Sequence, residues 1–541
     1  VTDSRAGRRT LLLAALLAAL VYLPRLGAPF MWDDRPFLVD IPAYDHHLPP
    51  SFYISPAYFP ATGEITWRPL SSFSYDTLIS TFGRRPLPLR AISFALHISV
   101  CLLLGMFVVA LGLGAEVAFT AAALFLVTPV HIETLMTVTF NKEILSTLGI
   151  LGLLVSHLRR RPWLGAASLA FACLAKEAGL VGLPLVFLLD FLQGGAAELR
   201  RRMKDHGAYA FIAVSYLFLR FGPLKGPGGE ADLSALLPWT ERLFYGAHAF
   251  ISSARVMLAP IGLRIEYFAL PASSPLVYMS WVCGALVLLG AVLTSAARTR
   301  RQRPALSFFL LWPLPALFLV SNIIPVAVLS LRLLAERWLY LPAVGVCAAL
   351  AILLRGKPGR ARLLIVVWAA LGLSRMRDWS SETALWSSLV RVYPWSAKAV
   401  EGMGEALYRE GRTPEALAAF TEGRRLRETH EDLVLAHYVP LAPHGTIGFE
   451  SASLRRWLGL CRLRLGDERG ALADFQAASA LQPTDGFTYR VLAYENAKLG
   501  DYPAARAWLD KGLALAPTDG FLLRLQPDVQ KKRLSFSARF D

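Results

Sequence analysis

The sequence predicts an all-α protein: a polytopic membrane helical bundle followed by an α-solenoid of paired-helix repeats. Three observations carry this. Of 541 residues, 55% are hydrophobic and only 18% charged, a balance a soluble domain rarely has. Apolar stretches follow one another from Thr10 to Ser374, separated by short basic runs. Beyond Asp378 the runs shorten, helical amphipathicity appears, and a repeat sets in.

The net charge of +16 does not indicate nucleic acid. The basic residues sit in runs between apolar segments: Arg5/Arg8/Arg9, Arg159–Arg161, Arg200–Arg202 with Lys204, Arg298–Arg303 and Arg355–Arg362. That is a positive-inside topology signal, so the expected surroundings are a lipid bilayer, with no nucleic acid. Cys101, Cys173, Cys283 and Cys347 lie in apolar segments and Cys461 lies near the end, with no metal-ligand spacing, so neither disulfides nor zinc are expected. The basic start and apolar stretch that follow the N-terminus resemble a signal peptide without a clear cleavage site, and read as an uncleaved first span.

Candidate spans are Thr10–Leu26, Ala91–Leu111, Glu116–Thr128, Ile144–His157, Trp163–Ala175, Gly179–Leu192, Ala208–Phe221, Leu276–Thr294, Leu306–Ile324, Trp338–Leu354 and Leu363–Ser374. Several are shorter than the about 20 residues a span needs, so their ends should extend into the flanking loops. With every basic run on one side, Leu243–Pro260 must not cross and reads as an interfacial or re-entrant helix on the outer face. The expectation is 11 spans, the N-terminus inside and the chain after Ser374 outside. A membrane domain over residues 1–375 thus carries a long outer loop, 29–90, rich in Pro and aromatics.

Residues 376–541 form the second domain. Pro483-Thr484-Asp485-Gly486-Phe487 recurs as Pro517-Thr518-Asp519-Gly520-Phe521, a period of 34. Leu458-Gly459, Ala471, Phe475, Ala478 and Pro483 align with Leu492-Ala493, Ala505, Leu509, Gly512 and Pro517. An earlier copy has Met403-Gly404, Ala416, Phe420 and Gly423. This is tetratricopeptide spacing: small residues let two helices approach, and Pro ends the second. Repeats are expected near 396–429, 451–484 and 485–518, with an insert over Glu428–Gly448.

Polar residues crowd the outer ends of the spans: Asp33, Asp34, Arg35, Arg68, His131, Glu133, Asn141, Lys142, Glu143, Lys176, Glu177, Glu336 and Arg337. Adjacent carboxylates at a membrane edge are costly, which singles out Asp33-Asp34 as candidates for a base that takes a proton from an acceptor hydroxyl. Arg35, Lys142 and Glu143 read more simply as solvated or interfacial charges. Glu177 reads as a partner of a neighbouring base, and His131 equally as a satisfied interfacial histidine.

Five ordered segments carry a resemblance: Phe30-Met31-Trp32-Asp33-Asp34, Trp67-Arg68-Pro69-Leu70-Ser71, Thr128-Pro129-Val130-His131-Ile132-Glu133, Leu174-Ala175-Lys176-Glu177, and Ala335-Glu336-Arg337-Trp338-Leu339-Tyr340-Leu341-Pro342. With Trp379 to Trp386 leading into the repeats, the chain resembles the transmembrane and tetratricopeptide-repeat O-mannosyltransferases and, more broadly, the glycosyltransferase C superfamily. Its repeat array is shorter than in the eukaryotic members, and its Arg/Ala/Leu-rich composition suggests a bacterial inner membrane with site and repeats on the periplasmic side. The resemblance implies a hexose, mannose above all, carried on a polyprenyl phosphate and transferred with inversion to a hydroxyl of a protein or peptide acceptor bound through the repeats. Asp33 or Asp34 would be the base, with Asp33 matching the first Asp of the motif. Arg68, Lys176 and Arg337 would meet the departing phosphate. His131, Glu133 and Glu177 would orient sugar or phosphate, and Tyr340 would support the lipid headgroup. The one candidate cofactor is a divalent metal bridging carboxylates and phosphate, which no ligand spacing demands.

Two other classes fit parts of the chain. A non-catalytic scaffold would need only the repeats, and the outward carboxylates and cations weigh against it. A transporter would place ionisable residues at span centres, where they are rare here, whereas a ligase for lipid-linked sugars would use the same cations.

Overall fold

A computed structural model describes residues 2–45, 47–55, 57–226, 238–268, 270, 272–321, 323, 332–438 and 450–540. The chain divides into two compact units, one up to Leu385 and one from Trp386. The division falls beyond the expected break after residue 375. The reason is local: Glu382 accepts the Trp32 backbone N–H at 3.3 Å and pairs with Arg35 at 3.8 Å, which ties the stretch after the last apolar helix into the first unit.

The first unit contains α1 (Thr2–Tyr22), α2 (Tyr58–Thr62), α3 (Pro69–Phe82), α4 (Pro86–Ala110), α5 (Ala115–Val127), α6 (Ile132–Met136), α7 (Asn141–Leu158), α8 (Pro162–Ala175), α9 (Gly182–Arg201) and α10 (Met203–Phe221). It continues through α11 (Trp239–Leu258), α12 (Pro275–Thr299), α13 (Pro304–Leu311), α14 (Pro313–Leu319), α15 (Tyr340–Leu353) and α16 (Pro358–Arg375). Prolines open many of these helices, where the missing N–H costs nothing. Every expected span contains helix, although in Leu306–Ile324 the helices end at Leu319, and residues 322 and 324 lie outside the described residues.

Among the described residues, six helices are long and apolar enough to cross a bilayer unaided, and α5 with 129–136 makes a seventh bent by 52°. The other expected spans fall short for two reasons. Pro162–Ala175 and Pro304–Leu319 are shorter. α10 carries Lys204, Asp205 and Arg220, and α16 carries Arg360, Arg362 and Arg375. The unit is an integral membrane protein whose central helices, α5, α7 and α15, are buried among the rest, and α12 is its most peripheral long helix. Two close approaches converge on Ala172 of α8: a Cβ on Gly149 of α7 would come within 2.8 Å of it, and one on Gly179, in the turn after α8, within 2.4 Å.

α11 covers the stretch expected to stay on the outer face. Phe244 stacks on Tyr278 and His248 on Trp281, so α11 runs beside the first half of α12. The chain then reaches a two-stranded antiparallel ladder pairing Tyr267 with Leu334 and Phe268 with Arg332, a small addition to an otherwise helical fold.

The second unit stacks helix pairs. α17 (Glu382–Val390) leads into α18 (Ala397–Arg409) and α19 (Thr413–Glu428). After the short α20 (Leu433–Tyr438) come α21 (Ala452–Arg464) with α22 (Glu468–Leu481), and α23 (Gly486–Lys498) with α24 (Tyr502–Leu515). α25 (Gly520–Gln530) completes the described helices. Residues 439–448 of the expected insert lie outside the described residues. The small residues work as anticipated: a Cβ on Gly404 would meet the Phe420 ring at 2.9 Å, and one on Gly459 the Phe475 ring at 2.7 Å. Ion pairs repeat with the period too. Arg456 binds Asp485 at 3.1 Å, and Arg490 binds Asp519 at 2.7 Å, one repeat further on.

Candidate active site

The site begins with a strained turn. Trp32 adopts a left-handed backbone, φ 51°, which a bulky residue rarely takes, and strain of that kind is kept where the surroundings enforce it. Here Glu382 holds the Trp32 N–H, and the indole lies edge-on to Phe140 at 5.6 Å, with the Arg337 guanidinium 5.2 Å from its ring centre. Arg90, fully buried on α4, binds the carbonyls of Leu26, Ala28, Pro29 and Met136, which ties the loop to the bend after α6.

The two aspartates that follow are unlike. Asp34 is fully buried, and its Oδ1 accepts the Thr139 backbone N–H at 2.9 Å. Burial pushes its carboxyl up to about 6, with the Arg90 charge and the Thr139 bond opposing the shift. Asp33 is half-buried and faces the charges of Lys142 and Arg337.

Opposite this turn stands the start of α7. Its N-terminus has no side-chain cap, so backbone N–H groups and the positive end of the helix dipole point out of it. Asn141, its first residue, is 1% exposed, and neither its side-chain oxygen nor its nitrogen has a partner. The hydroxyls of Thr137 and Thr139 and the Oδ2 of Asp34 are likewise buried without partners. Such a concentration of unmet polar atoms is costly in a finished core and is expected where a polar ligand completes the bonding.

The cations divide into paired and unpaired. Arg68 forms a bidentate pair with Glu177, at 3.0 and 2.8 Å, and lies 3.7 Å from Glu64. Burial opposes the Arg68 charge, but Glu177 outweighs it and holds the group above the ordinary arginine value. Glu177 is shared with Arg220 at 3.4 Å. Lys176 pairs with Glu143, and Arg337 with Glu133 at 2.5 Å. Glu336 is buried against Tyr267, the Arg264 backbone N–H and Arg375. Among the described residues Lys142 has no ion-pair partner, and it lies in the combined field of Asp33, Glu64, Arg68 and Lys176.

The structure therefore brings Asp33, Asp34, Glu133, Arg337, Arg68, Lys176 and Glu177 to one end of the unit. At the far end of α7, about 25 Å away at 1.5 Å per residue, His157 binds Asp190 beside the basic run. His131 and Tyr340 are placed differently. Both are fully buried with His97 and Phe125; Tyr340 hydrogen-bonds His97 Nδ1 at 2.7 Å, and His131 Nδ1 donates to the Phe125 carbonyl at 2.9 Å. They support the site from inside the bundle. Sequence reasoning passed over Arg90, Arg220, Glu382 and Arg375, which lie in unremarkable contexts, and read Lys142 as a solvated charge. Its place directly after Asn141 at a helix start was the available signal. Among the described residues no three His, Cys, Asp or Glu side chains converge as a metal site.

Beside Trp338 an apolar cavity of about 480 Å³ opens between α11, α12 and α14, lined by Leu243, Ala247, Phe250, Ala285, Leu286 and Leu317 among others.

Two known proteins are similar to this sequence. Over 447 residues it is 24% identical to protein O-mannosyl-transferase F38B6.6 of Caenorhabditis elegans, covering 79% of this chain and 64% of that one. Over 461 residues it is 25% identical to protein O-mannosyl-transferase Tmtc3 of Drosophila melanogaster, covering 67% of this chain and 48% of the relative. The chain thus spans about half to two thirds of the length of these curated relatives. No family model matches. Among solved structures, a chain of the crystal structure of the APC/C hetero-tetramer Cut9-Hcn1 aligns over 87% of this chain and 91% of its own length. The identity is 12% and the TM-score 0.24, too low to bear on the fold.

Proposed function

We propose that this chain is a membrane glycosyltransferase that moves a hexose, mannose first among the candidates, from a polyprenyl-phosphate donor to a serine or threonine hydroxyl of a protein. The observation that carries the proposal is the division of labour in the aspartate pair. Asp34 is committed to the Thr139 amide, which leaves Asp33 half-exposed beside an unpaired lysine and an uncapped helix start. The names of the two animal relatives support the same reaction class.

In this scheme Asp33 takes the proton of the acceptor hydroxyl. The hydroxyl oxygen attacks the anomeric carbon as the bond to the lipid phosphate oxygen breaks. The phosphate leaves with the electron pair, and the sugar is inverted. The leaving group gains negative charge where Lys142 and the first amides of α7 can receive it. Arg68, Lys176 and Arg337 are each neutralised by a carboxylate, so their part is to hold Glu177, Glu143 and Glu133 and shape the cleft. In this scheme Asn141, whose buried amide has no partner, binds the sugar hydroxyls, and Glu133, held by Arg337, backs the site. The apolar cavity beside Trp338 suits the isoprenoid tail. The acceptor comes through the repeats, and both lie outside the cytoplasm, in a bacterial inner membrane on the composition of the chain. A divalent metal would be held between the aspartate carboxylates and the lipid phosphate and would help neutralise the leaving group.

The test is a transfer assay in membranes, with a panel of polyprenyl-phosphate hexoses, wild-type or Asp33→Ala protein, and a chelator arm. Sugar incorporated into protein by the wild type alone supports the reading; equal incorporation by both sinks it. Loss of transfer in the chelator arm, restored by added Mg²⁺ or Mn²⁺, would give the metal a role.

A further inference from the structure

The segment after α25 folds back onto the last repeats without regular secondary structure. Lys532 is left-handed, φ 53°, and turns the chain back, while the Arg533 N–H binds the Asp528 carbonyl at 3.0 Å. From there Leu534, Phe536, Ala538 and Phe540 are half-buried, and Ser535, Ser537 and Arg539 between them are exposed. That alternation is the period of a strand with one side on a surface.

The surface beneath joins two repeats. Phe487 and Tyr494 share one side of α23, Phe521 takes the place of Phe487 one repeat further on in α25, and Arg524 follows it one turn later. Tyr489 points elsewhere on α23, to stack on Trp508 of α24. Phe540 meets Phe487, Tyr494 and Phe521 with ring centres 6.1, 5.6 and 5.5 Å away. Phe536 meets Tyr494 and Phe521, and the Arg524 guanidinium covers its ring at 4.3 Å. The Tyr494 hydroxyl donates to the Phe536 carbonyl at 3.3 Å and accepts the Ala538 N–H at 2.8 Å. One side chain thus reads main chain, which any sequence offers, while alternate side chains supply selectivity.

We propose that the face formed by Phe487, Tyr494, Phe521 and Arg524 is the docking surface for the acceptor polypeptide. It takes extended segments with aromatic or aliphatic residues at every second position, and residues 533–540 are its resident competitor. The proposal rests on the reading of the repeats as the acceptor module. A peptide in this register meets Asp528 at the Ser535 place, where that hydroxyl donates to the carboxylate at 2.7 Å, and turns the next intervening residue outward, as Ser537 is turned here, which leaves a serine or threonine hydroxyl there open to transfer. A tethered occupant acts at an effective concentration on the order of millimolar, so acceptors must outcompete it, and apparent affinity falls with the fraction of time the face is covered.

The test uses the full chain and a fluorescent synthetic peptide of residues 532–540. Phe536→Ser with Phe540→Ser frees the face without altering it. This variant should bind the peptide about tenfold tighter than wild type, and adding Tyr494→Phe should reverse most of the gain. Binding no tighter than wild type, with or without a lowered melting temperature, would make the segment a mere cap and overturn the proposal. If the double variant does not fold, hydrogen exchange on the wild type decides: excess peptide should speed exchange of the Ala538 amide, and unchanged exchange overturns the proposal. No arm uses a sugar donor, so failure here leaves the transferase reading standing, and absent transfer by a peptide-binding protein would sink only the latter.

Discussion

Asp34 accepts the Thr139 backbone N–H at 2.9 Å, and that bond fixes the turn that presents Asp33. Adjacent residues of one type therefore hold different posts: one is buried and anchored, the other half-exposed and facing cations.

The first prediction separates them. Asp33→Asn should lower kcat by about 10²–10⁴-fold with normal protein in the membrane, the ordinary worth of a general base. Asp34→Asn retains an oxygen for the Thr139 amide and should cost less, on the order of tenfold, through a looser turn. Equal effects, or an Asp33→Asn protein at full rate, would remove Asp33 from the mechanism.

The second concerns Lys142. Its ammonium lies 5.8 Å from the centre of the Phe140 ring, and Lys142→Met keeps an unbranched side chain of similar length while deleting the charge. Turnover should fall by about 10²–10³-fold, as when one donor to a developing anion is removed, and the donor KM should change far less. A selective rise in KM with kcat intact would make Lys142 a ground-state binding group instead.

How much of this the sequence disclosed follows from the range of the interactions. Apolar runs and the period of 34 are local signals, so the helices of both units and the positions of Gly404 and Gly459 were readable. Topology signals then brought Asp33, Glu133, Lys176 and Arg337 to one end. Pairing was not readable, because it depends on partners far along the chain. Arg68 meets Glu177, Lys176 meets Glu143 and Arg337 meets Glu133 only once the helices pack, so three apparent phosphate ligands proved to be neutralised cations, and half-buried Lys142 proved to be the one without an ion-pair partner among the described residues. The same holds for Glu382, which looked like part of the linker and binds the Trp32 turn.

The third prediction follows from the pKa of Asp34, about 6 in the folded chain against 3.8 ordinarily. A raised acid pKa means that the folded state binds more protons between these values, so stability falls as pH rises from about 4 to about 6 and is flat above. The full difference is on the order of 3 kcal/mol. Melting curves of detergent-solubilised wild type and Asp34→Asn protein, taken at pH 5 and pH 7.5, should show the wild type losing more stability than the variant at the higher pH. Parallel curves would mean that Asp34 does not titrate in this window.

The last prediction concerns the donor's tail. The cavity beside Trp338 is almost wholly apolar, and Ala285 lines it from α12, a helix at the edge of the unit with almost no buried residues. A large side chain there can fill the space without disturbing the buried helices α5, α7 and α15. Ala285→Trp should therefore leave expression and melting nearly unchanged. If the cavity holds the isoprenoid chain, the variant should raise KM for a long-chain donor by about tenfold, the loss of one or two buried methylene contacts. A donor cut to two or three isoprene units, too short to reach the blocked space, should be used as by the wild type. The split between the two donors is the decisive quantity. A uniform fall in kcat for both would point to a distorted site near Arg337, and unchanged kinetics for both would place the tail elsewhere on the membrane face.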